Sequence, residues 1–146
     1  MNKLTETEKA YIAGLLDGEG CIGIQKKKSQ HTKYPFDFQV RVIITNSYFP
    51  TICWLKEKTG IGCAYEYNKS FKENWNSVHR WQVVANQATE FLEMIYPYIQ
   101  IKKEIANLIL MMPKGRKQGK IRTIKEYQIQ ENIFSQAKAK NKRGKE

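Results

Sequence analysis

One nine-residue stretch decides the fold of this chain: Ile12-Ala13-Gly14-Leu15-Leu16-Asp17-Gly18-Glu19-Gly20. Its apolar residues recur at helical spacing, and an acidic pair set between glycines ends the helix. Small residues on a helix surface let a second helix backbone approach closely. A carboxylate at the end of such a helix pair can hold a divalent cation, because hard oxygen ligands suit Mg²⁺. The stretch therefore indicates a catalytic site, and the alternative is an ordinary surface helix with a glycine cap and two solvated acids.

Length and composition indicate one domain with a core of its own. The chain has 146 residues, of which 41% are hydrophobic. It contains no run of 18 apolar residues, and its N-terminus lacks the apolar region of a signal peptide. We therefore expect an intracellular protein without a membrane partner, either cytoplasmic in a bacterium or phage, or organellar. The three cysteines lack paired metal-ligand spacing and are expected to be reduced and structural.

The basic charge is concentrated in the C-terminal part of the chain. The formal net charge is +11, and residues 113–146 hold 11 Lys and Arg against three Glu. The first 112 residues therefore carry only +3 of that charge. A charge distribution of this kind indicates a polyanionic partner.

Hydrophobic periodicity predicts an α+β domain with the order αββαββαα. Thr5 and Glu8 form a capping-box pattern that begins the first helix, which we expect to end near residue 17. Alternating apolar residues then predict two strands, a helix, two more strands and two helices. The predicted domain covers residues 1–137, with a core over 5–112, a basic loop and C-terminal helix over 113–137, and a basic disordered tail over 138–146.

Two stretches of the chain resemble the LAGLIDADG homing endonuclease family. In the first, Ile12 takes the first leucine place, Leu16 replaces isoleucine, Gly18 replaces alanine and Glu19 replaces the second aspartate. The second, residues 96–108, is similar to the segment that leads into the family's last core helix. The resemblance implies the αββαββαα fold with a saddle-shaped antiparallel sheet on DNA. Because the chain has one copy of the signature, it also implies a homodimer on a pseudo-palindromic site.

The resemblance further implies a homing endonuclease that makes a staggered, Mg²⁺-dependent double-strand break in a long DNA site, with other divalent cations as alternatives. The implied metal ligands are the Glu19 carboxylate and the Gly18 carbonyl. Lys102 matches a lysine near the cleavage centre, and Asn46 matches a residue beside the metal's water network. Their alternatives are a solvated lysine and a helix cap. Asp17 is expected to be a structural cap, with an indirect metal role left open.

The sheet face opposite the core is expected to contact base edges. Two-stranded ribbons fit the major groove, and Gln and Arg suit bidentate contacts with adenine and guanine. The alternative is an ordinary hydrated sheet face, and Trp81 and Val83 leave the orientation of the last strand open. Basic residues near the first hairpin and in the loop, Arg122 among them, are expected to bind phosphates. The DNA-binding candidates are Gln25, Lys27, Asp37, Gln39, Arg41, Tyr65, Tyr67, Lys69, Arg80, Gln82, Arg116 and Lys117. The expected dimer contacts are Ile12, Ala13, Gly14 and Leu16.

Two other functions compete with the endonuclease. A non-cleaving family member could act as an RNA-splicing maturase, with intron RNA as its partner, or as a DNA-binding regulator. A protein of another class, such as an RNA chaperone, could stack single-stranded bases on exposed aromatic residues. That last function explains the basic charge but leaves the glycine-flanked acids unexplained.

Overall fold

The computed structural model describes residues 1–30, 33–68, 77–113 and 122–143. Its elements follow the predicted αββαββαα order with a further C-terminal helix, which confirms the α+β fold. A 3₁₀ turn over Tyr96–Tyr98 joins α3 to α4. Within the described ranges, no helix has both the length and the apolar character needed to span a membrane. The elements are α1 (Glu6–Glu19), β1 (Gly20–Lys28), β2 (Phe36–Asn46), α2 (Phe49–Thr59), β3 (Cys63–Asn68), β4 (Val78–Val84), α3 (Ala85–Ile95), α4 (Lys103–Leu110) and α5 (Ile124–Arg143).

The predicted capping box begins α1. The Thr5 hydroxyl accepts the backbone N–H of Glu8 at 3.2 Å, and the backbone N–H of Thr5 donates to Glu8 Oε2 at 2.9 Å. The helix continues to Glu19, two residues beyond the predicted end near residue 17. Gly20 follows at once as the first residue of β1, where an added Cβ would lie 2.7 Å from the Leu16 carbonyl oxygen. The tight junction leaves Glu19 at the boundary between the first helix and the sheet.

The four strands form one antiparallel sheet in the order β1-β2-β4-β3. Alternate residues of the two central strands face the helices and are buried, as the period-2 pattern of β2 predicts. Trp81 is 0% and Val83 1% exposed, so Arg80 and Gln82 lie on the opposite face. The orientation that the sequence left open for the last strand is thereby decided in favour of the predicted one.

Helix α5 extends beyond its predicted end at residue 137. Ala137 is buried, Asn141 Nδ2 donates to the carbonyl oxygen of Ile22 at 3.2 Å, and Lys140 Nζ lies 3.1 Å from Glu104 Oε2. The last turns of α5 therefore satisfy a carbonyl of the edge strand β1 and pair with α4. The expectation of disorder is wrong for residues 138–143, because α5 continues to Arg143 and its last turns dock against β1 and α4. Residues 144–146 lie outside the described part.

Candidate active site and nucleic-acid interface

Glu19 and Asn46 form the centre of the candidate site. Asn46 Nδ2 donates a hydrogen bond to Glu19 Oε2 at 2.6 Å, and Asn46 Oδ1 accepts the backbone N–H of Tyr48 at 2.7 Å. Tyr48, rather than Asn46, is the N-cap residue of α2, and its side chain makes no capping bond. Asn46 thus uses its amide to join the turn before α2 to the exposed carboxylate at the end of α1.

The last turn of α1 places two carboxylates, those of Asp17 and Glu19, where the helix dipole disfavours them. That turn contains no basic residue, and a negative charge at a helix C-terminus costs about 0.3–1 kcal/mol. Lys102 compensates from outside the helix, since its Nζ donates to the Asp17 carbonyl oxygen at 2.7 Å. Within the described residues Glu19 is held by the neutral amide of Asn46. Its carboxylate is therefore suited to an external cation.

Asp17 is a structural residue in this arrangement. Its Oδ2 accepts the N–H of Gln100 at 2.8 Å and its Oδ1 accepts the N–H of Lys102 at 3.0 Å, just before α4 begins. Burial raises the pKa of this carboxyl, but the backbone hydrogen bonds from Gln100, Lys102 and Ile101, together with the Lys102 charge, outweigh that effect and leave the pKa lowered. Asp17 therefore remains ionised and fixes α1 against the start of α4, as a cap would.

The donor set of one chain fits half of a divalent-cation site. No three His, Cys, Asp or Glu side chains of the described ranges are grouped so that they could hold a metal ion. One chain offers the Glu19 carboxylate and the backbone carbonyl of Gly18, which are hard oxygen donors of the kind that Mg²⁺ prefers. Two chains that met along α1 would supply two such carboxylates.

The open face of α1 differs from the predicted dimer contact. Ile12, Ala13 and Leu16 are each 0% exposed and pack into the core of their own chain, so their assignment to an interface is wrong. Gly14 is exposed, and a Cβ added at Gly14 or Gly18 would meet no atom of the described residues within 4 Å. The glycines therefore line a bare strip of helix backbone. Tyr11, 53% exposed, lies on the same helix face as the two glycines, at the spacing i, i+3 and i+7.

The described sheet candidates share the face opposite the core. The register pairs Gln25 with Gln39 and Lys27 with Asp37 across β1 and β2. On the other half of the sheet, Tyr65 Oη donates to Gln82 Oε1 at 3.2 Å. Arg41 and Arg80 lie on the same face by the alternation of their strands. The face thus combines cations with amides and a phenol, while the Tyr67 side chain, Lys69, Arg116 and Lys117 lie outside the described residues.

Basic residues at the margin of this face are arranged differently from the prediction. Arg122, which was expected to bind phosphate, instead pairs with Asp37 at 3.1 Å, and its side chain is only 12% exposed. The exposed residues Lys138 and Lys142 were missed, although their i, i+4 spacing in a basic segment would place them on one side of a helix. With Arg41 they line a cavity of about 400 Å³ between α5 and the first two strands. The two lysines therefore lie next to the sheet face that carries Arg41.

Solved structures similar to this chain are homing endonucleases. The archaeal intron-encoded homing endonuclease I-Vdi141I, complexed with DNA, matches with a TM-score of 0.66 at 19% identity over 92% of this chain and 84% of its own. I-CvuI, in complex with the I-CreI target in the presence of Mg, matches with a TM-score of 0.63 at 21% identity over 73% of this chain. The chain covers 66% of I-CvuI, just under two thirds of its length. At such identities the similarity shows the fold.

The family model supplies the assignment that these structural similarities alone do not. No curated protein sequence matches this chain. The model described as LAGLIDADG endonuclease matches residues 12–103, which begin in α1 and end at the start of α4. This segment includes Glu19, Asn46 and Lys102 and makes up more than half of the chain. The chain therefore belongs to the LAGLIDADG endonuclease family.

Proposed function

We propose that this chain is a homodimeric homing endonuclease that hydrolyses both strands of a long, pseudo-palindromic DNA site with the help of Mg²⁺ and leaves staggered ends. One observation carries the proposal. An exposed carboxylate, Glu19, ends a helix whose open face is bare backbone at Gly14 and Gly18. In a single chain the two glycines lower the stability of the helix. At a two-fold axis they allow two copies of α1 to pack closely and bring the two carboxylates together.

The cost of the glycines supports the homodimer. Glycine inside a helix is less stable than alanine by about 1 kcal/mol, and the chain itself leaves room for a Cβ at both positions. A second copy of α1 packed against the strip would need that room, because only small residues allow two helix backbones to meet closely. A two-fold arrangement would bring the two Glu19 carboxylates together and would favour a target with matching half-sites.

The arrangement suits hydrolysis of a phosphodiester. When bound, a divalent cation neutralises phosphate charge and activates water, with hard oxygen ligands such as Glu19 holding it. Asn46 fixes the Glu19 carboxylate, and Lys102 provides positive charge at the end of α1. Water adds its oxygen to phosphorus while the bond to the 3′ oxygen breaks, and the water proton passes to solvent or to the leaving oxygen. Asp17 holds α1 against the start of α4 through its hydrogen bonds with the backbone N–H groups of Gln100 and Lys102.

The side chains on the sheet face support the proposal that the substrate is duplex DNA. Antiparallel ribbons fit the major groove, and alternate side chains reach the base edges. The described face offers amides and cations for such contacts, and Lys138 and Lys142 beside it offer charge for the phosphates. Related structures of the same fold, including I-Vdi141I, are complexes with DNA.

The decisive experiment is cleavage of a randomised duplex-DNA library by the purified protein in Mg²⁺, with cut sites recovered by sequencing. We expect wild type and the charge-matched control Glu90→Gln to cut one family of pseudo-palindromic sites, and Glu19→Gln to bind those sites without cutting them. Sedimentation should give a particle of two chains. Specific binding without cleavage by wild type would instead indicate a regulator or maturase, and preference for structured RNA over duplex DNA would contradict the proposal.

A further inference from the structure

Arg122 makes a dense set of polar contacts at the far end of the sheet from Glu19. One guanidinium nitrogen, Nη2, lies 3.1 Å from Asp37 Oδ1 and donates to the carbonyl oxygen of Phe36 at 3.2 Å. The other, Nη1, donates to Gln130 Oε1 at 2.7 Å. The guanidinium thus joins the start of β2 to α5 through three separate groups.

Two aromatic rings restrict the guanidinium further. Its central carbon lies 4.9 Å from the Tyr34 ring centroid and 5.1 Å from the Tyr127 ring centroid. The two rings stack on each other with centroids 4.8 Å apart. Planar stacking combined with a fork of N–H donors is a property of arginine that lysine lacks. The position of Arg122 is therefore fixed independently of its ion pair with Asp37.

Asp37 is an unusual residue for a surface that meets DNA. It belongs to the face opposite the core, its side chain is 52% exposed, and its cross-strand neighbour is Lys27. A carboxylate in a DNA groove is repelled by phosphates, yet carboxylates are the side chains that accept a hydrogen bond from the N4 amino group of cytosine. The repulsion is reduced if a fixed cation neutralises the carboxylate.

We propose that Asp37 and Arg122 act together as a specificity determinant, in which Arg122 positions and neutralises Asp37 so that the carboxylate accepts the amino group of one cytosine in each half-site. The inference rests on the proposed function. Asp37 lies nine residues along β2 from Asn46, about 30 Å at 3.3 Å per residue. At 3.4 Å per base pair that span corresponds to about eight or nine base pairs from the centre of the site. Arg122 is a positioning residue in this scheme and does not contact the base.

The test measures binding and cleavage of the recovered target and of all its single-base-pair variants. The proteins are wild type, Asp37→Asn, Arg122→Gln, Arg122→Lys, the double variant Asp37→Asn/Arg122→Gln, and Lys125→Gln, which removes one exposed positive charge from the first turn of α5. We expect wild type to prefer cytosine about tenfold or more at one outer position of each half-site. Asp37→Asn and Arg122→Gln should both lose that preference and keep the preferences at other positions.

The pattern of losses separates positioning from general stabilisation. In the Asp37→Asn background, Arg122→Gln should produce no further loss of cytosine preference at the outer position. With Asp37 present, Arg122→Lys should keep part of the preference that Arg122→Gln loses. Lys125→Gln should retain the full preference. An equal loss of base preference at every position of the DNA target, or a loss only near the centre of the target, would overturn the inference. Neither result would contradict the proposed endonuclease activity. A wild type that recognises no duplex would overturn the proposed function and this inference with it.

Discussion

Asn46 donates a 2.6 Å hydrogen bond to Glu19 and accepts the N–H of Tyr48 at 2.7 Å with the other atom of the same amide. The second bond fixes the amide, since Oδ1 must face the Tyr48 N–H and Nδ2 must then face Glu19. One side chain thereby couples the end of β2 to the carboxylate that we propose as the metal ligand.

Replacement of Asn46 by alanine should weaken metal use without weakening DNA binding. Loss of a residue that orients a metal ligand costs about 10- to 100-fold in metal affinity or activity, so Asn46→Ala should need more Mg²⁺ for half-maximal cleavage. The measurement is the cleavage rate across a Mg²⁺ titration, with target affinity measured in Ca²⁺. Ser47→Ala, at the exposed neighbouring residue, serves as the control. An unchanged Mg²⁺ dependence for Asn46→Ala would remove Asn46 from the site.

An alanine in the bare strip on α1 should raise the stability of the isolated chain and lower the stability of the dimer. Gly14→Ala should stabilise the isolated chain by about 1 kcal/mol, because alanine is the better helix former and the chain has room for its Cβ. The same methyl group should weaken the dimer. Sedimentation equilibrium and urea unfolding would follow the two effects separately, and Gly14→Leu should abolish the dimer outright. Gln128→Leu, at an exposed position of α5, should leave the dimer unaffected. A full-strength dimer in Gly14→Leu would place the interface elsewhere.

The two acids of the signature, Asp17 and Glu19, should differ in their contribution to the unfolding free energy. Asp17→Asn removes the charge that accepts two backbone N–H groups before α4, and we expect it to cost about 2 kcal/mol of unfolding free energy. Glu19→Gln should leave the unfolding free energy unchanged or raise it by roughly 0.5 kcal/mol, since it removes a negative charge from a helix C-terminus. Urea unfolding of both variants checks these values. An equal loss of unfolding free energy in the two variants would mean that Glu19 also has a structural role.

Local patterns were sufficient to predict much of this fold. The capping box at Thr5 and Glu8 depends on residues three apart, and the alternation along β2 depends on its own side chains, so both are present in the sequence as in the structure. The Glu19–Asn46 contact could not be derived from the residues themselves, because it joins positions 27 apart. The family resemblance alone indicated that the two residues share a site.

The wrong predictions have a common physical cause. Ile12, Ala13 and Leu16 are small or apolar, and such residues satisfy a core and an interface equally well. Only the placement of the sheet decides that these three face inward. The end of α5 is similar, since its like charges repel one another, and the segment gains order from a hydrogen bond to a carbonyl of β1. Contacts between distant elements therefore decided what periodicity and composition left open.

The two lysines beside the sheet should contribute affinity without specificity. Lys138 and Lys142 lie with Arg41 around the cavity next to the proposed DNA-binding face. Each phosphate contact that is lost should reduce the slope of log affinity against log salt concentration by about 0.9 in magnitude, so Lys142→Gln should bind more weakly and depend less on salt. Lys140→Gln is the matched control, because this lysine points to Glu104 on α4, 3.1 Å away. The order of preference among target variants should stay the same. A changed preference, or an equal effect of Lys140→Gln, would contradict a phosphate contact at Lys142.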